Sequence, residues 1–143
     1  MDPIDQQILA LLAQDARISV AQLARRLGLA RSTVQARLER LEGSGTIAGY
    51  TVRLGAAISG ARIRATVLLT VEPRAQPAVL SRLRALPAVE AAHTTSGRFD
   101  MLLQVAAETT AALDDVLDRI GEIPGVKSSE SLIHLSTRID RAL

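Results

Sequence analysis

The sequence predicts an α+β protein in two parts. Residues 1–46 read as a winged-type helix-turn-helix domain of three helices, residues 47–60 as a strand and linker, and residues 61–143 as a ferredoxin-like βαββαβ domain. Three observations carry this prediction. Apolar residues recur at helical spacing up to about residue 42 and then change period. A helix–Pro–strand unit occurs twice in the second half. Positive charge is concentrated in the first third, with six arginines and one acid between Arg17 and Arg40, against ten basic and ten acidic residues from Ala61 onward.

Asp2-Pro3 suits a helix start, because Asp accepts a first-turn N–H and Pro at the first helical position gives up no bond. Ile4, Ile8, Leu11 and Leu12 then form one stripe as far as Gln14. Ser19-Val20-Ala21-Gln22 has the pattern of a capping box. It opens a second helix with Val20, Leu23, Ala24 and Leu27 facing inward, and Gly28 suits its end. A third helix is expected from Arg31 to Glu42, with Val34, Leu38 and Leu41 buried and Gly43-Ser44-Gly45 beyond it. Ile47 to Leu54 alternates as a strand does, and Gly55 to Gly60 reads as a flexible linker.

In the second half, Ile63–Val71 is a β-branched run. Gln76–Leu86 and Thr109–Ile123 read as helices, and Val89–Thr95, Met101–Ala106 and Val126–Ile139 as strands. Leu80-Ser81-Arg82-Leu83 followed by Leu86-Pro87-Ala88-Val89 recurs as Leu117-Asp118-Arg119-Ile120 followed by Ile123-Pro124-Gly125-Val126. In each copy a helix ends, proline blocks its continuation and a strand begins, as a duplicated split βαβ requires.

One Tyr, one Phe and no Trp leave an aliphatic core, and the absence of cysteine excludes disulfides and thiolate metal sites. No stretch approaches the roughly 20 apolar residues of a membrane span. The acidic start Met1-Asp2-Pro3-Ile4-Asp5 lacks the basic beginning of a signal peptide, so a cytoplasmic protein without membrane contact is expected.

At about 100° per residue, the third helix turns Ser32, Ala36 and Glu39 directly outward, with Gln35 on one shoulder and Thr33, Arg37 and Arg40 on the other. Ser32, Thr33, Gln35 and Ala36 form a short, nearly uncharged face suited to base edges in a major groove. There Gln pairs with adenine, Ser and Thr with several bases, and the Ala methyl meets thymine. Arg31, Arg37 and Arg40 are long cations suited to phosphates. An ordinary solvated helix face is the bland alternative. Clustered charge in a helix-turn-helix favours double-stranded DNA, and the scarcity of aromatics argues against stacking on single strands. His93 and His134 stand 41 positions apart on expected strands. No metal-ligand spacing, phosphate loop or nucleophile triad occurs, so neither a cofactor nor a catalytic residue is expected.

The chain resembles the feast/famine regulators, the leucine-responsive protein and asparagine-regulator (Lrp/AsnC) family. The resemblance is carried by Asp2-x-x-Asp5-x-x-Ile8-Leu9, Asp15-Ala16-Arg17-Ile18-Ser19 and Leu23-Ala24-x-x-Leu27-Gly28-Leu29. It continues through Thr33-Val34-x-x-Arg37-Leu38-x-x-Leu41-Glu42, then Gly45, Ile47 and Gly49-Tyr50, and in the second half through Gly97-x-x-Asp100. Ala30 departs from the usual Ser cap, a loss worth about 1 kcal/mol. Phe99 and Ser96 stand where Tyr and Thr are common.

This resemblance implies a transcription regulator that is a homodimer held by C-terminal sheets, assembled further into a ring such as an octamer. The strand after Ile47 would help pair subunits. The small-molecule effector would be an amino acid bound near the Gly-x-x-Asp turn, drawing on Thr95, Ser96, Gly97, Asp100 and Ser131. Read from the residues alone, Gly97-Arg98-Phe99-Asp100 is equally a hairpin turn whose Asp satisfies local backbone. Sirohaem-type tetrapyrrole decarboxylases resemble the same two-domain arrangement and are the enzymatic alternative; an amino-acid sensor without DNA contact is another. The basic third helix favours the regulator.

Overall fold

A computed structural model describes residues 1–141. The chain divides into two compact units, one built on Met1–Arg53 and the other on Leu54–Asp140.

The first unit has three helices: α1 (Pro3–Gln14), α2 (Val20–Leu27) and α3 (Arg31–Gly43). Asp2 caps α1, its side chain accepting the Asp5 N–H at 2.9 Å. Ser19 Oγ accepts the Gln22 N–H while Gln22 Oε1 accepts the Ser19 N–H, both at 3.1 Å, so the capping box of α2 is complete. Gly28 ends α2 in the left-handed region at φ 66°, which costs glycine nothing. Ile8, Leu23, Ala24, Val34, Leu38 and Leu41 form the core, with Ile4, Leu12, Val20, Leu27 and Ile47 packed against it.

After α3 the expected wing strand is absent, and residues 48–55 carry no regular secondary structure. A strand exists only through hydrogen bonds to a neighbour, and the four strands of the second unit pair with one another instead. The alternation is nevertheless visible in exposure: Tyr50, Val52 and Leu54 are all exposed apolar residues spaced by two. Tyr50 Oη donates to Glu42 Oε1 at 2.7 Å, and this bond raises the phenol pKa above its ordinary value of 10.0. Within the expected flexible linker, Ala56–Ser59 forms a short helix, α4, between Gly55 and Gly60.

The second unit runs β1 (Ile63–Val71), a 3₁₀ turn (Pro73–Ala75), α5 (Gln76–Arg84), β2 (Val89–Thr94), β3 (Met101–Ala107), α6 (Thr110–Gly121) and β4 (Val126–Ile133). The sheet is antiparallel in the order β2-β3-β1-β4. Ala65, Val67, Leu69 and Val71 alternate into the core against Met101, Leu103 and Val105 of β3, Val79 and Leu83 of α5, and Leu113 and Ile120 of α6. Arg64, Thr66, Leu68 and Thr70 line the other sheet face and are half-buried. The expected fourth strand reached Ile139, but β4 stops at Ile133. The ladder with β1 ends at Ala65↔Ile133, and beyond it one further bond joins the two segments, His134 N–H to Arg64 O at 2.9 Å, while Arg64 and Ile63 go on pairing only with β3. The helix expected to Leu86 ends at Arg84.

The repeat holds in its hydrogen bonds. Leu86 N–H donates to Leu83 O and Val89 N–H to Leu86 O. In the second copy Ile123 N–H donates to Ile120 O and Val126 N–H to Ile123 O, all within 3.0–3.2 Å. The copies differ at Ala88 and Gly125. Gly125 adopts φ 100°, and a Cβ there would collide with the Ala75 Cβ.

Gly125→Ala should therefore destabilise the protein by about 2–4 kcal/mol, combining backbone strain with overpacking. Gly28→Ala has open space and should cost only about 1–2 kcal/mol, from its left-handed backbone. Urea unfolding of the two variants checks the difference. The Tyr50–Glu42 bond needs the neutral phenol, so its stabilisation is complete below pH 10 and is lost as pH rises through the raised pKa. Titration of this single tyrosine by phenolate absorbance should give a midpoint above 10 that falls toward 10 in Glu42→Gln.

Candidate nucleic-acid interface and effector turn

The surface of α3 follows from its burial. Val34, Leu38 and Leu41 point inward, which turns Ser32, Thr33, Gln35 and Ala36 out as an exposed set. Ala30 occupies the N-cap with no side-chain hydrogen bond, unlike the starts of α1 and α2. The first intrahelical bond is Val34 N–H to Ala30 O at 3.1 Å, which directs the earlier N–H groups outward at the positive end of the helix dipole. Gln35 Nε2 donates to Glu39 Oε1 at 3.1 Å, leaving its carbonyl and second amide hydrogen for another partner.

The three arginines expected at phosphates are not equivalent. Arg31 is exposed at the helix start. Arg40 is 63 % exposed, with one long contact to Asp5 Oδ2 at 3.5 Å. Arg37 is turned onto α1: its Nη1 donates to Asp2 Oδ2 at 2.6 Å and to Asp5 Oδ1 at 3.1 Å. The Arg37 hydrogen bond, with the Asp5 N–H, holds the Asp2 carboxyl below its ordinary pKa, and the two carboxylates raise that of Arg37. The sequence carries the signal for this cluster, two acids spaced by three on the first helix and two arginines spaced by three on the third.

Between β2 and β3 the chain turns through Thr95–Asp100, with Gly97 at φ 101°. Thr95 Oγ1 donates to Phe99 O at 2.7 Å, and Thr95 N–H donates to Asp100 O at 3.0 Å. Asp100 N–H donates to Leu69 O and Asp100 Oδ2 accepts the Val71 N–H, each at 2.8 Å. One oxygen of the Asp100 carboxylate thus holds the turn to the end of β1. The Arg98 guanidinium lies 4.8 Å from the Phe99 ring centroid and 3.8 Å from Glu130 Oε2 on β4.

Thr95, Ser96, Gly97 and Asp100 are brought together on this turn. Ser131 is not, because it pairs with Val67 on the edge strand, two strands from β3. Arg98 and Glu130, absent from the expected set, are the charged side chains that meet here. His93 is exposed on β2. His134 lies just beyond β4 with its Nε2 2.8 Å from Thr66 Oγ1. Among the described residues no group of His, Cys, Asp and Glu is arranged to hold a metal ion, and no helix is long and apolar enough to cross a membrane.

Comparison with known proteins fits this geometry. The AsnC-type helix-turn-helix domain matches residues 1–42 and the Lrp/AsnC ligand binding domain matches residues 64–143. The HTH-type transcriptional regulator FL11 of Pyrococcus furiosus is 30 % identical over 135 residues, covering 94 % of this chain and 89 % of that protein. AsnC of E. coli superposes with a TM-score of 0.90 at 27 % identity, covering 100 % of this chain and 97 % of that one. A transcriptional regulator of Neisseria meningitidis, solved as a complex with L-Met, has a TM-score of 0.85 at 25 % identity over 95 % of this chain and 90 % of its own. A helix-turn-helix and a ligand-binding sheet domain thus account for the two units, and the chain belongs to the Lrp/AsnC family of transcriptional regulators.

Proposed function

We propose that this regulator reads duplex DNA with the outward face of α3 and responds to an amino acid bound at the Thr95–Asp100 turn. The short polar face formed by Ser32, Thr33, Gln35 and Ala36, on a helix whose start has no side-chain cap, is the observation that carries the proposal. Short side chains allow the helix to sit deep in a major groove, while Arg31 and Arg40 reach phosphates on either side. The outward N–H groups at Arg31–Thr33 suit a phosphate oxygen, which would take the place of the missing cap.

Gly97 allows the backbone N–H groups of the turn to approach a carboxylate, as they would that of an amino-acid effector, and Thr95 and Ser96 add hydroxyls. The L-Met complex of the Neisseria relative supports this class of ligand. Asp100, with one oxygen on Val71, holds the turn in shape and presents its other oxygen to an ammonium group.

The working unit in this reading is a homodimer. Its two copies would bury the half-exposed sheet face around Leu68 and Leu102 and pair the alternating Tyr50–Leu54 segment as a strand. Two α3 helices would then enter major grooves about one turn, or a multiple of it, apart. Dimers would assemble further, toward an octamer, at a seam that effector binding shifts. By linkage, DNA must then alter effector affinity in return. The role is regulatory, without a catalytic step, and is carried out in the cytoplasm.

Gln35→Ala should lower the preference for a selected operator over scrambled duplex by about 5–150-fold, the worth of a bidentate base contact. Its sedimentation behaviour should stay unchanged. An unaltered preference would remove α3 as the reading helix. For the turn, calorimetry against an amino-acid panel should show a fall in affinity of at least tenfold in Asp100→Ala; equal affinity in the two proteins would sink the effector assignment.

A further inference from the structure

Four charged side chains of the N-terminal unit form a cluster with a geometry of its own. Asp2 and Asp5 come from the start of α1, Arg37 and Arg40 from the middle of α3, and the four formal charges cancel. Arg37 is 20 % exposed, the Asp5 side chain 6 %, and Arg40 63 %. A phosphate approaching Arg37 would have to displace two carboxylates already at hydrogen-bond distance. Asp5 cannot follow its partner into water, so losing Arg37 would leave a buried anion with only the long Arg40 contact. Arg40 has the opposite character, exposed and loosely held.

The rest of the contact of α3 with α1 and α2 is aliphatic, through Val34, Leu38 and Leu41, while Glu42 at its far end accepts only from Tyr50 in the segment that follows. Aliphatic contacts are non-directional and define the rotation of a helix about its axis only loosely. Side-chain tips stand about 5–6 Å from that axis, so a rotation of about 20° displaces them by about 2 Å, enough to break a hydrogen bond to a base. The two bonds from Arg37 are directional and span helices 32 and 35 residues apart in the chain.

We infer that Arg37 is a positioning residue for sequence recognition: clamped by Asp2 and Asp5, it sets the rotation of α3 and hence the aim of Ser32, Thr33, Gln35 and Ala36, and it is not a phosphate anchor. This rests on α3 being the reading helix.

The test uses a duplex that the wild-type protein selects from a random pool and a scrambled duplex of equal length, each titrated over a range of salt. Arg40→Gln should flatten the dependence of log affinity on log salt by about 0.9 for each phosphate contact removed. Arg37→Gln should leave that slope unchanged. It should weaken the selected duplex at least tenfold while changing the scrambled one less than twofold. Asp2→Asn keeps the α1 cap, since Asn caps as well as Asp, and should reduce discrimination in the same direction by about threefold. It decides the matter if circular dichroism shows Arg37→Gln unfolded.

If Arg37→Gln flattens the slope as Arg40→Gln does, or if Asp2→Asn tightens both duplexes, Arg37 is a phosphate anchor and the inference is overturned. Equal weakening of both duplexes at constant slope overturns it too, since that is the mark of a merely structural residue. The Gln35→Ala result judges α3 as the reading helix and is independent of Arg37.

Discussion

Asp5 of α1 is buried against α3, and the guanidiniums that meet it both come from one shoulder of that helix. A carboxylate in that position is tolerable only with a cation held against it, so the start of the first helix and the middle of the third are tied together. Asp2 takes part twice, accepting the Asp5 N–H through Oδ1 and the Arg37 guanidinium through Oδ2. The same residue therefore begins α1 and joins it to α3. Everything else in this small core is Leu, Ile, Val or Ala, which set the inward side of α3 but hold its rotation less tightly than directional hydrogen bonds do.

The ligand-binding unit solves a similar problem with a different carboxylate. Its aliphatic core lies between one face of the sheet and the helices α5 and α6, while the β2–β3 turn projects beyond that core. Asp100 holds the turn through the Val71 N–H at the end of β1, where the ladder has ended and the backbone group needs a partner. Gly97 supplies the left-handed backbone that lets the chain reverse, and Gly125 lets the β4 connection lie against Ala75. In both units these carboxylate contacts lie at the border of the core, and the interior is left to packing.

Much of this was legible in the chain. Helix starts at Asp2 and Ser19, the stop at Gly28, the three inward residues of α3 and the two helix–Pro–strand copies all depend on neighbours within a few positions, and each stands where local chemistry put it. The misread segments were those whose state depends on something distant. Ile47–Leu54 alternates like a strand but no strand of the same chain pairs with it, and of Val126–Ile139 only Val126–Ile133 forms a strand, because the ladder with β1 ends at Ala65↔Ile133. Ser131, which the resemblance groups with the turn, lies on the edge strand opposite Val67, a position that only strand register sets.

The sequence by itself determined the two-unit α+β plan and the outward polar face of the third helix, because helical periodicity and caps are properties of adjacent residues. Only the tertiary structure decided which arginines stay loose in solvent. Arg31, Arg37 and Arg40 are chemically identical in the sequence. What separates Arg37 from Arg40 is how many carboxylates folding brings up from 32 or 35 residues away and how closely, two within 3.1 Å against one at 3.5 Å, and that depends on the packing of α1 against α3.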